Sequence, residues 1–412
     1  MIIKKLIFCI LLTAATIPVL SAEESAENDR FAENLEVSLA IIGPADALYS
    51  WWGHVAIIIE NTENGAARYY DYGNFSFDQD SFVQNFVMGR LYFLKMASNP
   101  DRQLKYNAYL NRDVTVYQLN VSPEDKLALL QFLENDILPE NRIYLYDHFY
   151  DNCATRIRDL MDIITGDEFS RTYKIVSDKT LRMQLRRFTY SRPFMDWLLN
   201  FAMKGSIDQP ATEYDGMFLP LELERGVSSM MITDKSGERI PFVKDIEVIN
   251  RAEGRTVTAD YPPPRWPFGL AVGIVLGAAA WFLKRKGLAV YSMLLSFILA
   301  VPGTLLFFMA CFTDHSFTYW NTNLLFVNPF LFITFAFSIR LLINKEIPLR
   351  TVQLCWTITG AGVVLSIILK LIPFFRQANW ETIIIVLLPS VVMSSLIPRL
   401  RKHIKQQKNV IT

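Results

Sequence analysis

Between residues 37 and 119 the apolar positions fall into short runs bounded by turn formers, the pattern of strands rather than of long helices. Val37–Ile42 alternates weakly and predicts a strand. Gly53–Glu60, reading GHVAIIIE, is a β-branched run and predicts a buried strand. Asn61–Gly65 supplies a turn, so Ala67–Tyr72 becomes the return strand of a hairpin. Ser81–Met88 predicts a helix, and Leu91–Met96 and Asp113–Leu119 predict further strands. Ser122 followed by Pro123 is a helix start, with serine at the N-cap and proline at the first helical position, and the pattern runs to about Leu138. A short strand near Arg142–Tyr146 precedes Asp151-Asn152-Cys153, and Ala154–Ile164 then reads as a helix ended by Gly166. Thr180–Phe188 and Phe194–Met203 predict amphipathic helices, while 205–265 is mixed and proline-rich at its end. There is no internal repeat.

After residue 265 the pattern changes. Five apolar runs succeed one another, near Trp266–Leu283, Leu288–Phe312, Leu324–Ile343, Val352–Phe375 and Thr382–Pro398. Each approaches the ~20 residues that cross a hydrocarbon core, which predicts five transmembrane helices. Met1–Ala22 has the form of a secretory signal: Lys4 and Lys5, an apolar stretch Leu6–Leu20, and small residues Ser21-Ala22 at the end. An uncleaved signal anchor is the alternative; with either, the chain after residue 22 is exported. The expected organisation is therefore 1–22 signal peptide, 23–265 exported domain, and 266–412 membrane domain.

Composition sharpens this division. The formal net charge of zero hides a split: residues 23–265 carry 26 basic against 38 acidic residues, and 266–412 carry 13 against 3. An acidic exported part argues against nucleic-acid binding. With the first part outside, the inside segments hold eleven basic residues, whereas the outside loops 313–323 and 376–381 hold only Arg376. That asymmetry predicts a multi-pass membrane protein with its N-terminal domain outside and its C-terminus inside.

The candidate chemistry is sparse. Of the four cysteines, Cys9 lies in the signal and Cys311 and Cys355 in apolar runs, leaving Cys153 alone in the exported domain. An oxidising compartment favours paired cysteines or none, so a lone thiol there points to catalysis, against the plainer reading of a buried small hydrophobe. Its place after Asp151-Asn152, at a helix start, favours a thiolate and offers N–H groups to an oxyanion. Of the four histidines, His54 opens the buried strand beside Trp51, Trp52 and Gly53, and is the favoured base; His148, five residues before the cysteine, is a rival of uncertain reach. Asp71, on the return strand, is placed to orient the imidazole, with Asn74 and Tyr72 as rivals. Arg156 and Arg158 pair with nearby acids or bind a phosphate group. Asp314, His315, Asn321, Asn323, Gln377 and Asn379 make the two outside loops polar, either as headgroup-level caps or as the lining of a site; with Asn152 they complete the candidate substrate-binding set. No metal or cofactor is expected.

A strand histidine followed some hundred residues later by Asn-Cys at a helix start resembles the permuted papain-like thiol enzymes, among them the NlpC and lecithin:retinol acyltransferase groups. More specifically, SWWGHVAI, YDYGNF, DHFYDNCATRIRD, ATEYDGMFLPLEL and TDHSFTYWNTNLLFVNP resemble the Lnb-type lipoprotein N-acyltransferases of Bacteroides-like bacteria. The resemblance implies an α+β permuted papain-like exported domain followed by an all-α five-helix transmembrane domain. It carries His54 and Cys153 onto the catalytic pair and leaves the third member open. It further implies acyl transfer from a membrane phospholipid, through a Cys153 thioester, to the N-terminal amine of diacylglyceryl-cysteine lipoproteins. Two rivals compete: a membrane-anchored cell-wall peptidase or amidase using the same pair, and a binding or transport protein in which Cys153 is inert.

Overall fold

The structure, a computed structural model, describes residues 27–75, 81–255, 258–343 and 349–409. The expected signal segment 1–22 lies outside the described residues. By internal contacts the chain divides into two compact units: 1–78 with 91–177 and 211–257, and 79–90 with 178–210 and 258–412. Segments 79–90 and 178–210, which the linear reading gives to the exported domain, thus group with the helical C-terminal region.

The first unit is built on a seven-stranded antiparallel sheet. Its strands are β1 (Leu35–Ile42), β2 (His54–Asn61), β3 (Ala66–Asn74), β4 (Tyr92–Ser98), β5 (Val114–Leu119) and β6 (Ile143–Leu145), with β7 (Met231–Thr233) and β8 (Arg239–Pro241) forming a separate ribbon and β9 (Val243–Asn250) returning to the edge. The order is β6-β4-β3-β2-β1-β5-β9, so β2 is central. This is why its apolar run is unbroken. On one face Val55, Ile57 and Ile59 meet Ile157, Leu160 and Met161 of the helix Cys153–Thr165. On the other, Ala56 and Ile58 join Ala40 and Tyr69, with Leu104 of the helix Pro100–Tyr109 packed against them. A sheet covered on both faces needs apolar residues at successive positions rather than alternate ones. The helix Pro123–Asp136 begins as its sequence predicts: Ser122 accepts a hydrogen bond from the Asp125 N–H, and Pro123 opens the first turn. The strand β9 and the helix Pro100–Tyr109 are additions to the expected set.

In the second unit, two helices among the described residues are long and apolar enough to cross a membrane: Arg285–Phe312 and the one ending at Leu369. Three further apolar helices are Trp266–Phe282, Leu331–Ile343 and the first part of Trp380–Asn409. The third expected span starts later than its hydropathy suggests. Leu324 and Leu325 sit in a 3-10 turn, and the helix begins only at Leu331, beyond Pro329, which has no N–H to give. Trp266–Phe282 lies flush on Trp380–Asn409 through a glycine stripe. A Cβ at Gly273 would come 2.8 Å from the Ile384 carbonyl oxygen, so only glycine admits this approach.

Candidate active site

The hairpin β2–β3 and the helix Cys153–Thr165 bring three side chains together. The register pairs Ile57 with Tyr70, and continued toward the open end it sets residue 73 opposite His54 and Asp71 diagonal to it. Asp71 Oδ1 stands 2.8 Å from His54 Nε2. Asp71 also accepts the Gly73 N–H at 2.7 Å and a hydrogen bond from Asn74. Cys153 is within hydrogen-bonding reach of the same imidazole. With Nε2 engaged by the carboxylate, Nδ1 is the nitrogen left to serve the thiol.

The electrostatics reflect this geometry. Burial disfavours a charged imidazole, but Asp71 first and Cys153 second outweigh it, and His54 is raised to about 10. Burial alone would push the Asp71 carboxyl up; His54, the Gly73 N–H and Asn74 hold it below the usual carboxylate value instead. An imidazolium beside the Asp71 carboxylate is thus the favoured state of His54 at neutral pH. His148 behaves oppositely. Enclosed edge-on by Trp52, Phe149 and Phe218, it is pushed down by burial to about 4 and stays neutral. Of the two candidate rings, the structure sets His54 against both the acid and the thiol.

Cys153 sits at the first position of its helix because Asn152 caps it. The Asn152 side-chain oxygen accepts from the N–H groups of Ala154 and Thr155, and Thr155 Oγ1 accepts the Asn152 N–H in return. The Asn152 amide donates to the carbonyls of His148 at 2.7 Å and Phe218 at 3.0 Å. Buried and bonded on both sides of its amide, Asn152 positions the helix that carries Cys153 rather than presenting a group to solvent. With Ala154 and Thr155 committed to the cap, the Cys153 N–H is the donor of this first turn closest to the sulfur. Tyrosines close the surroundings: burial first, and proximity to Cys153 after it, raise the hydroxyls of Tyr69, Tyr144 and Tyr146.

The other expected site residues are engaged within their own units. Arg156 forms a two-point ion pair with Asp151, at 2.5 and 2.7 Å, and Arg158 pairs with Asp159 at 2.6 Å. In the second unit, Asp314 pairs with Arg90 at 2.6 Å, and His315 lies 2.7 Å from Thr313 Oγ1. Asn321, Asn323, Gln377 and Asn379 are buried in one network. Asn321 donates to the carbonyls of Phe201 and Ala202, Asn323 donates to Phe201, Gln377 donates to Met203, and Asn379 donates to Asn323. These four side chains have their partners inside the protein.

Gly73 is the residue the sequence reading passed over. A Cβ there would lie 2.5 Å from His54 Cε1 and 3.0 Å from Nδ1, so the imidazole can occupy its place only above a glycine. The signal was present in YDYGNF, a glycine two residues after the acid. Among the described residues no group of three or more His, Cys, Asp or Glu is placed to hold a metal ion.

Residues 23–182 match the model of the Lnb N-terminal periplasmic domain family. The match covers 160 of the chain's 412 residues. The match contains His54, Asp71 and Cys153, and it bears out the resemblance to Lnb-type lipoprotein N-acyltransferases read from SWWGHVAI and DNCATR. It fits a protein of lipoprotein processing at the membrane, with a periplasmic N-terminal domain. The helical region from 266 onward lies outside it. No curated protein and no solved structure matches the chain.

Proposed function

We propose that the chain is a thiol-dependent lipoprotein N-acyltransferase, with Cys153 as nucleophile, His54 as proton carrier and Asp71 as the group that orients and charges the imidazole. The observation that carries this reading is Cys153 at a capped helix start, facing an imidazole whose other nitrogen is held 2.8 Å from a carboxylate. The Cys153 thiolate attacks the ester carbonyl of a phospholipid. The carbonyl carbon–oxygen bond to glycerol breaks, and the His54 imidazolium gives its proton to the departing oxygen, releasing a lysophospholipid. The α-amine of a diacylglyceryl-cysteine lipoprotein then attacks the thioester. The carbon–sulfur bond breaks, an amide forms, and His54 recovers a proton from the amine as Cys153 returns to thiolate. The Cys153 N–H is suited to the oxyanion of both tetrahedral intermediates.

In this reading the first unit is a permuted papain-like domain in the periplasm, and the five apolar helices span the inner membrane with the C-terminus in the cytoplasm. The shortest of them does not fill the core by itself: thirteen residues at 1.5 Å each reach only about 20 Å of a core near 30 Å. Both substrates are lipid-anchored, which gives a soluble thiol domain a reason to be joined to membrane helices. Trp266, Trp320 and Trp380 are suited to the outer interface.

Mass spectrometry of lipoprotein N-termini from cells carrying Cys153→Ser tests the proposal. The variant should fold and leave lipoproteins diacylated, and the wild type should form an acyl-enzyme with phospholipid but not with peptidoglycan fragments. Full N-acylation by Cys153→Ser would falsify the mechanism.

A further inference from the structure

Arg112 lies in the turn between the helix Pro100–Tyr109 and β5, in the first unit, and is almost wholly buried. Its Nε donates to the Gly43 carbonyl at 2.8 Å and its Nη1 to Asn107 Oδ1 at 2.7 Å. Both acceptors are neutral, and Nη2 is buried without a hydrogen bond. Among the described residues this cation has no carboxylate partner. Burial pushes the guanidinium down only to about 10, so it is charged at neutral pH. A buried charge is costly unless an opposite charge answers it. The sheet register fixes where this one sits. Gly43 follows Ile42, and Ile42 pairs with His54 on one side and with Val114 on the other. Arg112 is thus tied beside the strand partner of His54, at the end of the sheet that carries the site. Tyr69, buried on β3 two residues before Asp71, lies near both Arg112 and Cys153. Proximity to Tyr69 and then to Cys153 offsets part of what burial does to Arg112, whereas Arg255, paired with Asp46, adds to it. Tyr144 and Tyr146 also lie near the sulfur and are kept neutral by burial. Arg156, on the helix of Cys153, is committed to Asp151. His54 and Arg112 are then the positive charges left to act on the sulfur.

We propose that Arg112 is a positioning residue for the nucleophile: its uncompensated charge, fixed by Gly43 and Asn107, stabilises the Cys153 thiolate through space across the end of the sheet. The assignment rests on the reading of Cys153 as nucleophile and adds to His54 a second, permanent positive charge. The neutrality of Asn107 is part of the arrangement. A carboxylate in its place would hold the guanidinium as firmly and cancel its field. Two unit charges about 10 Å apart, at the effective dielectric of about 20 found inside proteins, interact strongly enough to change an ionisation by about tenfold.

The test follows iodoacetamide alkylation of the full-length protein in detergent, read at the Cys153 peptide by mass spectrometry over a range of pH. It uses no lipid substrate, so its outcome is separate from that of the acyl-transfer assay. Arg112→Gln should move the rate–pH profile to higher pH and slow alkylation at neutral pH by about tenfold. Arg112→Lys, which keeps the charge, should retain most of the wild-type rate. Asn107→Asp keeps the acceptor for Nη1 but gives the guanidinium a counter-ion, and should move the profile in the same direction as Arg112→Gln. It decides the matter even if Arg112→Gln does not fold, because an arginine with a merely structural role would be held as well by a carboxylate and leave the profile in place. An unchanged profile in folded Arg112→Gln or Asn107→Asp would overturn the assignment, as would equal slowing in Arg112→Lys and Arg112→Gln. Full N-acylation by Cys153→Ser would instead remove the reading of the nucleophile and leave the alkylation result intact.

Discussion

Asp71 reaches His54 as its diagonal neighbour across the β2–β3 hairpin, Oδ1 to Nε2 at 2.8 Å, and this contact is the first of the attractions that raise the imidazole to about 10. In the proposed reaction the imidazolium protonates the leaving glycerol oxygen, so acyl-enzyme formation should fall as the pH passes through that value. Asp71→Asn removes the largest raising influence. The falling limb of single-turnover acylation should then move from near pH 10 toward neutrality. A limb that stays in place would assign the titration to another group. Stability has the same origin. A raised histidine contributes stability that is complete below its unfolded value of 6.5 and is lost as the pH rises through about 10. The lowered Asp71 contributes above its ordinary 3.8 and loses that contribution as the pH falls below it.

Gly73 faces the same ring. An alanine there would place a methyl carbon 2.5 Å from His54 Cε1 and 3.0 Å from Nδ1, so the ring must move aside. The ring should be displaced by a fraction of an ångström to an ångström. A displacement of that order at a catalytic group lowers rates by about 100-fold. Gly73→Ala should therefore lose transfer activity by about that factor while its melting temperature changes little. An active Gly73→Ala protein would show that the ring has other places to work from.

Much of the first unit was legible because its signals are local. The β-branched run of β2, the turn at 61–65 and the caps at Ser122 and Asn152 each depend on neighbours within a few residues. Asp71 was legible as a partner only through the hairpin they imply. Strand β9 was not, because VKDIEVIN lies at the sheet edge with most side chains exposed, leaving no apolar pattern to read. The helix Pro100–Tyr109 is polar throughout most of its length, although Asn99 and Pro100 give it a regular start. The loop residues Asn321, Asn323, Gln377 and Asn379 stayed open between two readings for a different reason. A polar side chain near a membrane boundary reads the same whether it faces a substrate or a carbonyl sixty or a hundred residues away.

Asn152 joins the nucleophile's helix to the rest of the first unit. Asn152→Ala removes an N-cap, at about 1 kcal/mol, and leaves the carbonyls of His148 and Phe218 without a donor. A total loss of about 3 kcal/mol is expected in denaturant melts. Asn152→Asp keeps the cap acceptor but turns a carboxylate oxygen toward the His148 and Phe218 carbonyls at the helix end that carries Cys153, so iodoacetamide alkylation of Cys153 should slow even where the protein stays folded. Unaltered alkylation in the aspartate variant would show that this end of the helix does not influence the thiol.

The buried loop network makes the last prediction. Asn321 donates to two backbone carbonyls, at Phe201 and Ala202, and accepts from the Asn323 N–H and the Gln377 amide. It therefore ties the 313–328 loop to the end of the helix Pro193–Ala202 and to the 370–379 loop within the second unit. Removing it takes the side-chain donor from the Ala202 carbonyl and the acceptor from the Asn323 N–H, each loss costing about 1–3 kcal/mol, while Phe201 keeps the Asn323 amide. Asn321→Ala should lower the melting temperature clearly, and activity should fall in proportion to the folded fraction, with the KM for phospholipid unchanged at temperatures where the variant is folded. A substrate-binding role would give the opposite result, a raised KM at an unaltered melting temperature, because a side chain that meets a ligand is not needed to hold the empty protein together.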